Sequence, residues 1–207
     1  PVSGAALRIL ETIQDAKLNI LYVCPDRELI SEIQKRDDKI AFNILQEYAR
    51  SGKFERIFLL NKTSAEYLMG DVSIQDYEHS LTHFISYLVA MLNYFSHTEP
   101  VLSSKISPHD HCRIKTFGIS SLEEKQQSVN FLFPLEEMTD LHFFYGIPQG
   151  KMDGDASLSN RIKSHTKTHR TESIATSFSV YPTTFDQMLV LCVGHSSKIQ
   201  KLDIGTY

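Results

Sequence analysis

Between residues 73 and 96 apolar side chains recur at Ile74, Tyr77, Leu81, Phe84, Ile85, Leu88, Met91, Leu92 and Phe95. That is the three-and-four spacing of one helix face. Neither Pro nor Gly interrupts the run, and Ser73 with Asp76 three residues on reads as an N-terminal cap. At about 1.5 Å per residue the helix would span roughly 35 Å, the width of a small domain. Tyr87 and Val89 extend the apolar surface around the cylinder, which predicts contact on more than one side. This is a central helix, and the chain on either side of it is patterned differently.

Before it, residues 3–15 place Leu7, Ile9, Leu10 and Ile13 at helical spacing. Residues 17–24, K-L-N-I-L-Y-V-C, form a short β-rich run of the buried kind, closed by the turn signal Pro25-Asp26. Residues 40–51, with Phe42, Ile44, Leu45 and Tyr48, predict an amphipathic helix stopped by Gly52. Residues 55–60, E-R-I-F-L-L, predict a second buried strand that leads into Asn61-Lys62-Thr63. Helix and strand in alternation argue α/β with parallel strands.

After the helix, residues 97–111 are rich in Ser, Pro and His and read as a connection. Strand patterns follow at 112–120, 128–135, 141–148, 174–181 and 187–194, interrupted by one helical segment at 156–169. The expected fold class is α/β: a partial parallel sheet, a long central helix, then an α+β second domain with a mixed sheet. The corresponding divisions are residues 1–72, 73–96 and 97–207.

Composition narrows the function classes. The 207 residues are 42% hydrophobic and 22% charged, enough to bury a real core in one large or two small domains. A net charge of −4 without a concentrated basic run argues against direct nucleic-acid binding. Cys24, Cys112 and Cys192 are odd in number and far apart, and two lie in apolar strand-like runs. That fits reduced, buried thiols in the cytoplasm better than a disulfide framework. No apolar run approaches the roughly 20 residues of a membrane span, and no signal peptide is visible. The chain opens on Pro1 and runs directly into a helical pattern, so it is expected to be part of a larger protein whose upstream segment carries further function.

Several constellations have an ordinary reading. His109-Asp110-His111-Cys112 offers metal-ligand types, but neighbours in an extended chain point to opposite faces and no spaced partner pair exists. A polar loop entering a strand accounts for it. Asp153-Gly154-Asp155 begins like a calcium loop, yet Leu158 stands where Gly is needed and Ser164 where an acid is needed. A turn before the following helix accounts for that. No G-x-S-x-G elbow places a nucleophilic serine, and Met91 with the aromatic stripe of the central helix reads as core. Pro25-Asp26 and Asn61 are different, because both follow parallel strands at their carboxyl ends, where open α/β sheets bind ligands. Asn offers a donor and an acceptor to a purine edge, and Tyr77 at the start of the central helix is placed to stack on a base.

In order and spacing these pieces resemble the tubulin/FtsZ superfamily over most of the chain. Ser3-Gly4-Ala5-Ala6 is similar to the end of that family's glycine-rich phosphate loop. K-L-N-I-L-Y-V-C-P-D is similar to the next strand and its ribose-contacting loop, and I-F-L-L-N-K to the strand and loop whose Asn reads guanine. Residues 73–96 resemble the core helix that joins the nucleotide domain to the second domain, with an aromatic near its start. L-H-F-F-Y-G-I-P, the helix after it, and S-F-S-V-Y-P-T-T-F-D-Q-M-L-V-L-C-V-G resemble the second domain. The resemblance makes residues 1–72 the carboxyl-terminal part of a GTP-binding domain. It implies Ser3, Gly4, Pro25, Asp26, Asn61 and Tyr77 as nucleotide contacts and GTP/GDP as the ligand, with Mg2+ as its accompanying ion.

Departures from the family pattern fall at defined places. Only Ser3 and Gly4 remain of the phosphate loop, and Leu81 stands where a second guanine-contacting Asn is expected. The catalytic loop after the core helix is replaced by H-T-E-P-V-L-S-S-K-I-S-P-H-D-H, in which Glu99 and Asp110 are the only acids. These two are the catalytic candidates.

Three readings follow. The first is part of a cytoplasmic GTP-binding protein that assembles head to tail into filaments and hydrolyses GTP between subunits. Its partners are then itself and the amino-terminal segment of the same protein, and this chain alone is expected to be inactive as a GTPase. The second is a non-catalytic structural or adaptor protein of the same fold, acting through protein–protein contacts. The third is an unrelated two-domain α/β enzyme with a cleft at Asn61.

Overall fold

The computed structural model describes residues 8–202, apart from residues 11, 14, 15, 105–110 and 124–127. Of the first expected helix, residues 8–10 and 12 are helical. Strand β1 (Asn19–Cys24) and strand β2 (Arg56–Asn61) pair in parallel, in register from Asn19 opposite Arg56 to Cys24 opposite Asn61. Helix α1 (Glu32–Arg50) connects them. It begins eight residues before its apolar pattern does, because Ser31 and Gln34 form a reciprocal capping box that starts two polar turns. Its core face is Ala41, Phe42, Leu45, Gln46 and Ala49. Gly52, at φ +83°, turns the chain out of the helix in a conformation that side-chain-bearing residues resist.

Directly after β2 comes a helix that the periodicity did not predict, α2 (Lys62–Met69). The long helix α3 (Tyr77–His97) follows. Ser73 and Asp76 do bond reciprocally, Ser73 Oγ to Asp76 Oδ2 at 2.7 Å and Asp76 N to Ser73 Oγ at 3.2 Å, but they close a turn just ahead of the helix. Leu81, Leu88 and Phe95, seven residues apart, are the fully buried positions of α3. Tyr87 and Val89 remain 37% and 43% exposed, since the sheet covers one side of the helix only.

The second half adds β3 (Leu102–Ser103), β4 (Ile114–Ser120), β5 (Asn130–Phe131), β6 (Asp140–Pro148), β7 (Ala175–Thr183) and β8 (Leu189–Ser196). Helices α4 (Gln149–Gly154) and α5 (Leu158–Thr168) form the crossover between the parallel pair β6 and β7. Strand β8 runs antiparallel between β4 and β6. Among the described residues, the strands of both halves make one mixed sheet of eight, in the order β1-β2-β4-β8-β6-β7-β3, with β5 beside β4.

The halves are stitched where β2 meets β4 in parallel, Ile57 opposite Ile114 to Leu59 opposite Thr116. Thr116 Oγ1 donates to the Leu59 carbonyl at 3.0 Å, and Arg113 Nη1 donates to the carbonyls of Phe54 and Glu55 at 3.2 and 3.0 Å. Gly118 on β4 is required by close approach, because a Cβ there would lie 2.6 Å from Cys192 Sγ.

Helix α3 lies on one face of the sheet, packed on Phe58 and Leu60 of the first half and on Phe117, Tyr181, Leu191 and Val193 of the second. On the opposite face, α1 covers Tyr22, Ile57, Leu59 and Ile114. Helix α5 covers Leu141, Phe143, Tyr145 and Ile147 on that same face. A final segment after β8 returns to the first half. Gln200 N donates to Gln46 Oε1 at 2.8 Å and Gln46 Nε2 donates to the Gln200 carbonyl at 3.3 Å, both side chains fully buried.

Candidate functional site

The parallel pair β1–β2 ends on one edge of the sheet, and the register fixes what meets there. Cys24 lies opposite Asn61, so Pro25-Asp26 and the start of α2 leave adjacent strands side by side. Asp26 folds its own loop, its Oδ1 accepting from Glu28 N at 3.0 Å and its carbonyl from Leu29 N at 3.3 Å. Beside it Asp38, reaching in from α1, accepts from the Tyr22 hydroxyl and from Arg27 Nη1 at 3.4 Å. Burial and that hydrogen bond push the Tyr22 phenol up.

Asn61 is the N-cap of α2. Its Oδ1 accepts from Thr63 N at 3.1 Å, and its backbone N–H donates to the Leu132 carbonyl at 2.6 Å. An Asn at this position satisfies one of the otherwise unpaired amides of a helix start. The cap leaves the Nδ2 group as the free part of the carboxamide: among the described residues it makes no hydrogen bond. The side chain therefore keeps an N–H donor available, the kind of group that suits an acceptor such as a carbonyl oxygen or a ring nitrogen.

Tyr77 opens α3 and ties it to α2. Its hydroxyl donates to Glu66, while Lys62 Nζ sits 5.1 Å from its ring centroid and 3.9 Å from Glu66 Oε1. The bond to Glu66 holds the Tyr77 phenol above its ordinary value, and the Tyr77 hydroxyl in turn raises Lys62. One face of the ring is thus occupied by a cation, an attractive arrangement in its own right. The structure brings Pro25, Asp26, Asn61 and Tyr77 to this corner and adds Lys62 and Glu66, which the sequence reading missed. The available signal was the run Asn61 to Met69 ending at Gly70, a cap followed by good helix formers and a glycine stop.

The remaining predicted residues lie elsewhere. Leu81 is one turn below Tyr77 and 7% exposed, in the core under α3. Glu99 is exposed just past the carboxyl end of α3, so the 21 residues of that helix, about 30 Å, separate it from Tyr77. Ser3, Gly4 and Asp110 lie outside the described residues. Among the described residues no helix is long and apolar enough to cross a membrane.

An α/β unit, a long core helix and a second unit of six strands, β3 to β8, follow one another along the chain, and solved structures of TubZ share this fold. A GTPγS-form protofilament of Bacillus thuringiensis serovar israelensis TubZ superposes with a TM-score of 0.56 at 13% identity, over 94% of this chain and 57% of TubZ. A TubZ of type III plasmid segregation gives 0.60 at 12% identity, over 95% of this chain and 60% of the other. A TubZ-Bt two-stranded filament gives 0.58 at 13% identity, over 94% and 55%. The chain spans less than two thirds of the length of each of these proteins. No family model and no curated protein matches by sequence.

Proposed function

We propose that this chain is part of a tubulin/FtsZ-like protein that binds GTP at the β1–β2 corner and assembles head to tail into filaments. The observation that carries the reading is that Pro25-Asp26 and Asn61 leave the carboxyl ends of a parallel pair side by side, with Tyr77 bonded to the helix that Asn61 caps. That is where open α/β sheets hold ligands. The fold shared with TubZ protofilaments in GTPγS and GDP forms supports it.

Each residue has a role in this reading. Asn61 Nδ2 donates to the base, Tyr77 stacks on it through the ring face opposite Lys62, and Pro25-Asp26 contact the ribose. Backbone amides at Ser3-Gly4, together with an amino-terminal segment of the same protein, hold the phosphates and Mg2+. Residues 1–72 are then the rest of the nucleotide domain, 73–96 the core helix and 97–207 the second domain.

Hydrolysis falls to the neighbouring subunit. Glu99 and Tyr77 sit at opposite ends of α3, about 30 Å apart. Head-to-tail stacking therefore brings the Glu99 end of one copy onto the nucleotide of the next, where Glu99, with Asp110, would orient the attacking water. Such a heterologous contact does not close, so filaments follow. The cytoplasm, which holds GTP, is the expected location.

The burial of Leu81 favours a second reading, in which base recognition has been lost and the fold serves as an adaptor. Competition of a fluorescent GTP analogue from the complete protein separates the two. The GTPase reading expects displacement by GTP over ATP and at least tenfold weaker binding in Asn61→Ala and Tyr77→Ala. Binding that ignores both substitutions, or no binding, would leave the adaptor reading.

A further inference from the structure

Two imidazoles on α3 have no part in the corner just described. His79 and His83 are one helical turn apart, both exposed, with ring centroids 6.3 Å apart and ring planes tilted by 34°. Residues four apart on a helix share a face, so both rings lean to the same side. They line a groove of about 640 Å³ between the start of α3 and the end of α2, together with Leu68, Met69, Val72 and Phe84.

We propose that His79 and His83 chelate a late first-row divalent cation, Cu2+ before Ni2+ or Zn2+. Metal–imidazole bonds of about 2.0–2.1 Å put the centroids of two rings sharing one ion roughly 4.5 Å apart in cis and roughly 6.4 Å apart in trans. Two ligands four apart on one helix bind in cis, so the rings, now 6.3 Å apart, turn toward each other about χ1 and χ2 to share the ion. Imidazole suits Cu, Ni and Zn, and Cu2+ stands highest in the divalent affinity order, whereas Mg2+ and Ca2+ favour carboxylate and carbonyl oxygens, and the groove lining, with only the Ser80 and Tyr87 hydroxyls as oxygen donors, has no carboxylate. Among the described residues no group of three His, Cys, Asp or Glu is placed to hold a metal, so the site is a two-imidazole chelate completed by water. The Met69 thioether lines the same groove and adds a soft neighbour.

The pair sits at the hinge between α2 and α3, next to the Lys62–Glu66–Tyr77 contacts. A bound ion would brace the first two turns of α3, because both ligands come from that segment.

Calorimetric titration of the complete protein with CuCl2, NiCl2, ZnCl2 and MgCl2, in a buffer that does not coordinate metals, tests this. The expected result is one Cu2+ per chain, bound at least tenfold more tightly than Zn2+, with no Mg2+ uptake. A Cu2+ paramagnetic-resonance spectrum should carry the splitting of two nitrogen ligands. His79→Ala and His83→Ala each lower the affinity at least tenfold, the double variant abolishes the two-nitrogen spectrum, and His97→Ala at the far end of α3 changes nothing. Both positions are exposed, so folding survives the substitutions, as circular dichroism will verify. No Cu2+ binding to the wild-type chain, or the same spectrum and affinity in the double variant, would overturn the proposal.

Discussion

The first and second halves of the sheet treat their polar side chains in opposite ways. At the β1–β2 corner, ionisable groups are paired with one another: Asp38 with Arg27 and Tyr22, Lys62 with Glu66 and Tyr77. In the second half, three histidines lie inside and face neutral or cationic neighbours. His165 is fully buried between the Tyr145 hydroxyl, 2.7 Å from Nδ1, and Ser120 Oγ, 3.0 Å from Nε2. His142 Nδ1 meets Ser177 Oγ at 2.6 Å, and His195 Nδ1 is buried with no partner among the described residues. Burial pushes His142 and His165 down to about 4 and His195 to about 2, with Lys115 nearby adding to the effect on His142 and His195. The corner pairs its ionisable groups with one another, from the buried Tyr22–Asp38 contact to the more exposed Lys62–Glu66 pair; the three histidines of the second half serve packing.

The largest effect is expected where the two halves share a core. Phe95 is 2% exposed, stacked 5.5 Å from Phe144 and 4.7 Å from Tyr181. Phe95→Ala should cost about 3–5 kcal/mol. Because α3 packs on both halves, chemical denaturation should shift as one transition. Two separated transitions would show that the continuous sheet does not make the halves cooperative.

Acid should come next, and it should strike the second half. A histidine whose folded pKa is depressed gives stability that is complete above its unfolded value of about 6.5 and is lost as pH falls below it. For His142 and His165 the loss runs from about 6.5 down to about 4 and then stops; for His195 it continues to about 2. Thermal melts from pH 7 to pH 4.5 should fall steeply, and His165→Gln should flatten the curve. A pH-independent melting temperature over that window would contradict the burial account.

Lys115 gives a smaller effect of opposite sign. It is half-buried on β4 beside Arg56 and held down to about 8, chiefly by burial. Its charged form opposes folding, so Lys115→Met should stabilise the protein at pH 7 by on the order of 1 kcal/mol. It should also erase the rise in stability with pH that the wild type is expected to have between about 8 and 10.5. A change of similar size but opposite sign is expected at the corner itself, where Asn61→Ala removes one helix cap worth about 0.5–2 kcal/mol. A loss well above that range would mean that Asn61 is a packing residue and not a surface one.

Elements with a strong apolar period were legible in the sequence. The long helix, β1, β2, β4, β6, β7 and β8 fall within a few residues of where the pattern puts them. What escaped had no such period. The first turns of α1 are polar and set by the Ser31–Gln34 box, α2 is short and set by a cap and a glycine, and β5 is two residues where eight were expected. The junction of β2 with β4 was also invisible, because pairing of Ile57 with Ile114, 57 residues further on, leaves no local mark. At the site, strand ends and turn residues pointed to Pro25-Asp26 and Asn61, whereas the Lys62–Glu66–Tyr77 cluster depends on how two helices meet. The capping role of Asn61 emerges only once α2 is recognised.

The central claim is that the corner serves a nucleotide that drives assembly. Light scattering of the complete protein after GTP addition, with phosphate release followed in the same cuvette, tests it directly. The account predicts scattering that rises with GTP and decays as phosphate appears, with Glu99→Ala keeping the rise and slowing the release. A flat trace without phosphate, at protein concentrations well above micromolar, would contradict it.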